Sequence, residues 1–222
     1  RQKLNKNLFD IVIDAEGFKQ KSSKSQRPIM IFVKNDPVLI REFLDKVLPS
    51  ITSKFILLTG SSDNTLPIQE DIRGSRNSIE IQTKLKSLAK NPNLIKWYVE
   101  NLDTLFSPKV IPIPLGFHSR ANEELYKALK FKKATRQNKI ICTFRLYKSN
   151  QFADRREIMN LVKADDRFLT DPIKSEDWLK TLGNSSHCVC VHGGGYDLCP
   201  RVFEALWMGC TPIAKKHKPT MK

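Results

Sequence analysis

Arg201 and Glu204 stand three residues apart, just behind the run Gly193-Gly-Gly195. On a helix that spacing makes them surface neighbours. Pro200 suits the first helical turn, where a backbone N–H has no intrahelical partner. Gly209 suits the left-handed residue that ends the helix. A guanidinium, a carboxylate and N–H groups at the positive end of a helix, beside a glycine turn, form the set that a nucleoside diphosphate needs. Gly194, Tyr196 and Asp197 lie in that turn and are candidates for the same binding role.

The glycine run is not the dinucleotide fingerprint, because Gly-x-Gly-x-x-Gly would need glycine at 198, where Leu198 stands. A Gly-Lys-Ser/Thr phosphate loop is absent as well. The plain alternative is a tight turn, and the ten residues that follow favour a ligand. Arg145 follows a strand-like run, and Arg155 and Arg156 sit on the next helix-like stretch. An arginine at a strand's carboxyl end can reach a diphosphate with a bidentate fork. For one of Arg155 and Arg156 a solvated helix face is the simpler expectation. Asp63 and His118 fall on loops at strand ends, where either could act as a general base. The chain has no Asp-x-Asp pair, so no metal ligands are predicted, and arginines with a helix terminus would neutralise a departing diphosphate.

The elements that must position these residues alternate between strand and helix. Leu8 to Ile13, Pro28 to Val33 and Lys54 to Thr59 read as strands, with a polar loop at Lys19 to Arg27. Asp36-Pro37 starts a helix through Leu48, and Asn77 to Ala89 is helical. Residues 91–101 read as a turn and a short amphipathic segment. Val110 to Leu115 reads as an edge strand because of Pro112 and Pro114. Ser119 caps a helix through Phe131. Beyond a basic stretch at 132–138 come a strand (Lys139 to Phe144), a helix (Asp154 to Val162, with Ile158, Leu161 and Val162 inward) and a short strand (Arg167 to Thr170). Next are a helix capped by Ser175 and ended by Gly183, and a strand from Cys188 to Val191. After the glycine turn, Val202, Ala205, Leu206 and Gly209 share the face expected to pack on a sheet, and a strand starts near Thr211.

The expected organisation is an α/β chain with parallel sheets: an N-terminal domain over 1–131, a linker over 132–138, and a second, incomplete domain over 139–222. At 222 residues with 40% apolar and 27% charged residues, each domain can bury a core. No apolar run reaches a bilayer span. The net charge of +15 implies attraction to anionic substrates or polyanions. The cations are scattered rather than massed on one helix, which disfavours specific nucleic-acid binding. Five cysteines without a Cys-x-x-Cys pair read as small buried hydrophobes in a reducing compartment, not as a disulfide framework or a zinc site.

Cys199-Pro-Arg-Val-Phe-Glu-Ala-Leu-Trp-Met-Gly-Cys-Thr-Pro-Ile213 resembles the Arg-Phe-Trp-Glu-Ala-Leu-x-x-Gly-Cys-x-Pro segment of exostosin-like glycosyltransferases. Asn93 to Asn101, Ile111 to Gly116, and Thr143 to Asn150 with Arg155-Arg-Glu157 are similar to uncharacterised relatives of that group, so the resemblance spans residues 93–213. It implies a GT-B fold of two facing Rossmann-like domains and an inverting, metal-independent hexosyl- or pentosyltransferase. No cofactor is implied beyond a nucleotide sugar, UDP-linked, as co-substrate, and the acceptor would be a glycan or glycoprotein hydroxyl. Glu204 would bond ribose or sugar hydroxyls, and Arg201 and Arg145 would face the diphosphate, with Arg155, Gly194, Tyr196 and Asp197 completing the donor site. Asp63 ranks first and His118 second as the base. The family's histidine or threonine before the arginine is Pro200 here, which removes any side-chain role at that position. The expected compartment is the cytoplasm, or the Golgi lumen were an anchor to precede the sequence. The alternative function is a polyanion-binding module, for nucleic acid or sulfated glycan, without catalysis.

Overall fold

Alternating apolar residues build the first sheet in a computed structural model that describes residues 5–21, 27–70, 75–117, 122–193, 195 and 197–215. In β1 (Ile11–Asp14), β3 (Ile29–Lys34) and β4 (Phe55–Gly60), one set of side chains (Ile11, Ile13, Ile31, Val33, Phe55, Leu57) enters the main core. The alternate set (Val12, Met30, Phe32, Leu58) forms a smaller cluster with Phe9 on the other face. The core face is covered by α1 (Pro37–Glu42), its helical continuation through Ser50, and α2 (Ile79–Leu88). Asp36 caps α1 as expected, its Oδ1 accepting from Val38 N at 3.0 Å. Ser78 caps α2, whose Ile81, Leu85 and Leu88 are buried.

Two strands of this sheet were not expected. β2 (Gly17–Gln20) pairs antiparallel with β1 and runs into the start of the loop predicted at Lys19 to Arg27. β5 (Leu94–Val99) lies inside the sheet, between β4 and β6 (Val110–Pro112), where a turn and an amphipathic segment were predicted. Its Trp97 is fully buried and donates from Nε1 to Thr59 Oγ1 at 3.0 Å. The sheet order is β2-β1-β3-β4-β5-β6, parallel except for β1–β2. The chain goes out from β1 to β2, returns to place β3 on the other flank of β1, and from β3 to β6 moves in one direction across the sheet.

The second sheet is built from β7 (Gln137–Ile141), β8 (Phe168–Leu169), β9 (Ser185–Cys190) and β10 (Thr211–Ala214), all parallel, in the order β10-β9-β7-β8. Its helices are α3 (Asn122–Ala128), α4 (Ala153–Val162), α5 (Trp178–Asn184) and α6 (Pro200–Met208). The core gathers Ile141, Cys188 and Cys190 with Leu125, Ala128, Leu179, Leu182, Val202, Ala205 and Met208.

Contacts divide the chain into two compact units. The first comprises the described residues of Leu4–Pro114 with those of Gly194–Asp197; the second comprises those of Leu115–Gly193 and Leu198–Lys216. The division falls at Leu115, not at the basic stretch 132–138. The reason is burial: Leu125 and Ala128 of α3 join the second core, and Gln137 already begins β7. Three helix details also depart from expectation. In α4 no described residue is fully buried, and Leu161 is 76% exposed. Asp177, not Ser175, occupies the N-cap of α5, without a side-chain capping bond. Gly183 lies inside that helix rather than ending it, at a position where a Cβ would come within 2.5 Å of Phe131 O. Among the described residues, no helix is long and apolar enough to cross a membrane.

Candidate functional site

From β7 the chain goes outward to β8, then returns to lay β9 on the opposite flank of β7 and continues outward to β10. The connections leaving β7 and β9 therefore diverge. In an open parallel sheet, the crevice outside the carboxyl ends of two such strands is where ligands bind. The segments that reach this edge are Cys142 to Arg145, behind β7, and Val191 to Gly193, behind β9.

α6 brings Arg201 to the same place. Its buried residues are Val202, Glu204, Ala205 and Met208, and helical spacing of ~100° per residue sets Arg201 in the middle of that arc. Leu206, expected on the inner face, lies beyond the arc and is 58% exposed. Gly209 ends the helix at φ +71°, a left-handed conformation that favours glycine.

Arg201 is half-buried and held on three sides. Its Nη1 donates to Thr143 O. Its guanidinium carbon lies 5.1 Å from the Trp178 ring centre and 5.6 Å from that of Phe144. Trp178 in turn donates from Nε1 to Glu204 Oε2 at 2.6 Å, both side chains being buried. Glu204 thus fixes the indole on which Arg201 rests. Among the described residues no carboxylate lies within ion-pair distance of Arg201. A positive charge taken partly out of water and left without a counter-ion favours an incoming anion.

The loop behind β7 is braced from α4. Arg155 donates from Nη2 to His192 O at 3.0 Å and from Nη1 to Arg145 O at 3.2 Å, and it stacks 4.7 Å from the Phe152 ring centre. Arg156 donates to Tyr147 O and, at 2.9 Å, to Ser149 O. Neither arginine is merely a solvated face. Both hold the loop that carries Arg145, whose own side chain is exposed. The site therefore gathers Arg145, Arg155, Arg201 and Glu204 in the second unit.

The other predicted residues lie elsewhere. Asp197 belongs to the first unit and is 2% exposed. Its Oδ2 accepts from Asn101 N at 2.5 Å, and its N–H donates to Asn101 Oδ1 at 3.0 Å. Burial pushes its carboxyl up to about 7, with the negative charge of Glu100 adding to the effect and the Asn101 N–H opposing it. This pairing fits a structural role for Asp197 better than the ligand contact expected of it. Asp63 sits half-buried on the loop behind β4, also in the first unit. That loop is anchored by Asn64, which exchanges two hydrogen bonds with Asn35, and by Glu100, whose Oε2 accepts from Ser61 N at 2.6 Å. His118, Gly194 and Tyr196 lie outside the described residues.

Sequence reasoning missed Trp178, Thr143 and Phe144. Trp178 is 26 residues from Glu204, and the packing of α5 against α6, not spacing, joins them. Thr143 contributes through its backbone carbonyl, which side-chain chemistry cannot signal. All five cysteines are buried and unbridged, as expected. No protein-family model matches the chain, and no curated protein matches it.

Proposed function

We propose that the second unit binds the diphosphate of a nucleotide sugar and that the protein is a glycosyltransferase. The observation carrying this is Arg201, a half-buried cation with no carboxylate counter-ion among the described residues, held at the carboxyl edge where the β7 and β9 connections diverge. In this reading Arg201 and the exposed Arg145 face the diphosphate, Arg155 keeps the Arg145 loop in place, and Glu204 acts on ribose or sugar hydroxyls while orienting Trp178. The acceptor, a glycan hydroxyl, loses its proton to Asp63, with His118 as second choice, and attacks the anomeric carbon. The bond from that carbon to the diphosphate oxygen breaks with inversion, and the arginines stabilise the leaving negative charge. Two α/β units with largely parallel sheets are compatible with a GT-B enzyme, and that architecture is part of the proposal. So is the similarity of Cys199 to Ile213 to the exostosin-like segment.

The test is a thermal-shift panel of UDP-, GDP- and CMP-linked sugars at two salt concentrations, since a ligand selective for the native state raises Tm. A rise with one nucleotide class that survives added salt supports the proposal. Indifference to every nucleotide, together with heparin or nucleic-acid binding that collapses with salt, would replace it with a polyanion-binding module.

A further inference from the structure

We propose that the outer face of α3 and the end of α6 form a docking surface for an anionic lipid bilayer. The surface lies wholly within the second unit and does not depend on the function proposed above. Its sequence signature is a polarised charge. α3 opens with Glu123 and Glu124, and from Leu125 to Asn138 come five cations without one Asp or Glu.

Internal contacts account for part of that charge. Lys127 pairs with Glu123 at 2.7 Å. Arg136 donates from Nη2 to Met208 O at 3.4 Å, which sets a cation at the negative end of α6. Lys132 converges on the same spot, since a Cβ added at Gly209 would lie 2.5 Å from Arg136 Nη2 and 2.7 Å from Lys132 Cε. Lys130, Lys132 and Lys133 are exposed. Among the described residues no carboxylate stands within ion-pair distance of these three or of Arg136. Like charges gathered at a surface repel one another, and an anionic partner relieves that cost.

Apolar side chains stand beside these cations. Leu129–Phe131 adds a tight turn to α3, and Tyr126, Leu129 and Lys130 fall on one face by helical spacing. Tyr126 is 65% exposed and Leu129 37%. The Tyr126 ring packs edge-on against Trp207 of α6 with 5.6 Å between centres, and Trp207 Nε1 donates to Leu125 O at 2.9 Å. Those contacts lock the two helices together. Leu206, beside Trp207 on α6, points to solvent three residues before the Gly209 where Lys132 and Arg136 converge. A polyanion in water would engage the cations and leave the leucines idle. A bilayer engages both: anionic headgroups meet the ammonium groups while the apolar side chains enter the headgroup boundary. Tyrosine, with an apolar ring and a polar tip, suits that boundary.

The experiment sediments the full chain with vesicles of phosphatidylcholine alone and of phosphatidylcholine mixed with phosphatidylserine. Binding to the mixed vesicles only, weakened by added salt, is expected. Lys130→Glu with Lys133→Glu should lower the partition coefficient at least about thirtyfold. Tyr126→Ser with Leu206→Ser should lower it about tenfold. Lys86→Glu with Lys90→Glu, the same change in net charge on the first unit, should leave it within about threefold of the unmutated chain. All six positions are exposed, so each variant should keep its Tm. Failure to bind mixed vesicles, equal binding to neutral ones, or an equal loss from the Lys86 and Lys90 pair would overturn the proposal. Full binding by the Tyr126 and Leu206 variant would overturn it too, leaving a polyanion surface in place of a bilayer one. The vesicle comparison needs no variant, so it tests the proposal even where a substitution disturbs the fold.

Discussion

In the first unit the chain goes out from β1 to the antiparallel β2 through a tight hairpin before β3 to β6 follow in order on the other flank, whereas in the second it goes out from β7 to the parallel β8 through a crossover that carries α4 and then returns to place β9 on the other flank. Both sheets have several parallel strands, and both present loops at carboxyl ends. Both sheets have a reversal, but among the described residues only in the second does it lie between two strands that each lead into a crossover to a parallel strand. The loops of the first are tied to one another: Asn35 with Asn64, Ser61 with Glu100, and Asn101 with Asp197. Asp103 adds to this, accepting from Thr65 Oγ1 at 2.6 Å and from Gln69 N at 3.0 Å. Those polar groups satisfy each other. In the second unit a cation is stacked and has no such counter-ion among the described residues. Strand order and side-chain accounting point to the same edge.

The largest expected effect tests the ligand edge directly. Arg201→Ala should weaken nucleotide-sugar affinity by about thirtyfold or more in calorimetry, the scale expected for losing a charge-assisted contact. Glu204→Gln, which keeps an acceptor for Trp178 Nε1, should weaken it less and leave Tm unchanged. Asp63→Asn should abolish sugar transfer with donor affinity intact. If Asp63→Asn weakened donor binding as much as Arg201→Ala, the contrast between the units would fail.

A smaller effect separates the two described glycines of the turn. At Gly195 an added Cβ would come within 2.1 Å of Asn101 Oδ1, while at Gly193 it would meet nothing within 4 Å. Gly195→Ala should therefore destabilise the protein by about 1–3 kcal/mol in urea titration, and Gly193→Ala should stay within about 0.5 kcal/mol of the unmutated chain. Equal effects would mean that the Asn101–Asp197 pairing does not anchor Gly195.

The smallest effect is in pH. Asp197 holds its proton to about 7 when folded, against an ordinary value of 3.8. Between those values the folded chain binds more protons than the unfolded one, so stability falls as pH rises and levels off above about 7. Asp103 is also raised by burial and acts in the same direction. Asp197→Asn should reduce, without removing, the decline in Tm across that window. An unchanged slope would show that Asp197 titrates normally.

Sequence reading succeeded where the determining interactions are local. Asp36-Pro37 and Pro200 with Gly209 carry their own start and stop chemistry, so α1 and α6 were legible, as were β3, β4 and β9 from their apolar runs. β5 was not. Lys96 breaks its apolar run, and its strand character comes from pairing with β4 and β6, which lie far away in sequence. β2 escaped for a related reason: all four residues are exposed, and only its register with β1 defines it. At the site Arg201 and Glu204 were legible as a pair, but Glu204's burial and its bond to Trp178 depend on α5 packing against α6. Asp197 read as a ligand contact because a carboxylate beside glycines resembles one, and nothing local announces Asn101, 96 residues away.

Neither sheet offers an easy border to a stray chain. β6 ends in Pro112 and β10 contains Pro212, so each lacks an N–H that a newcomer strand would need. β8 is two residues long, and β2 carries Lys19 along its exposed length. Unpaired borders recruit strands from other molecules when they are long, flat and apolar, and each border here is interrupted, short or charged. During synthesis and refolding, while strand borders are incompletely covered, these features should direct strands into their own sheet and away from intermolecular β-aggregation.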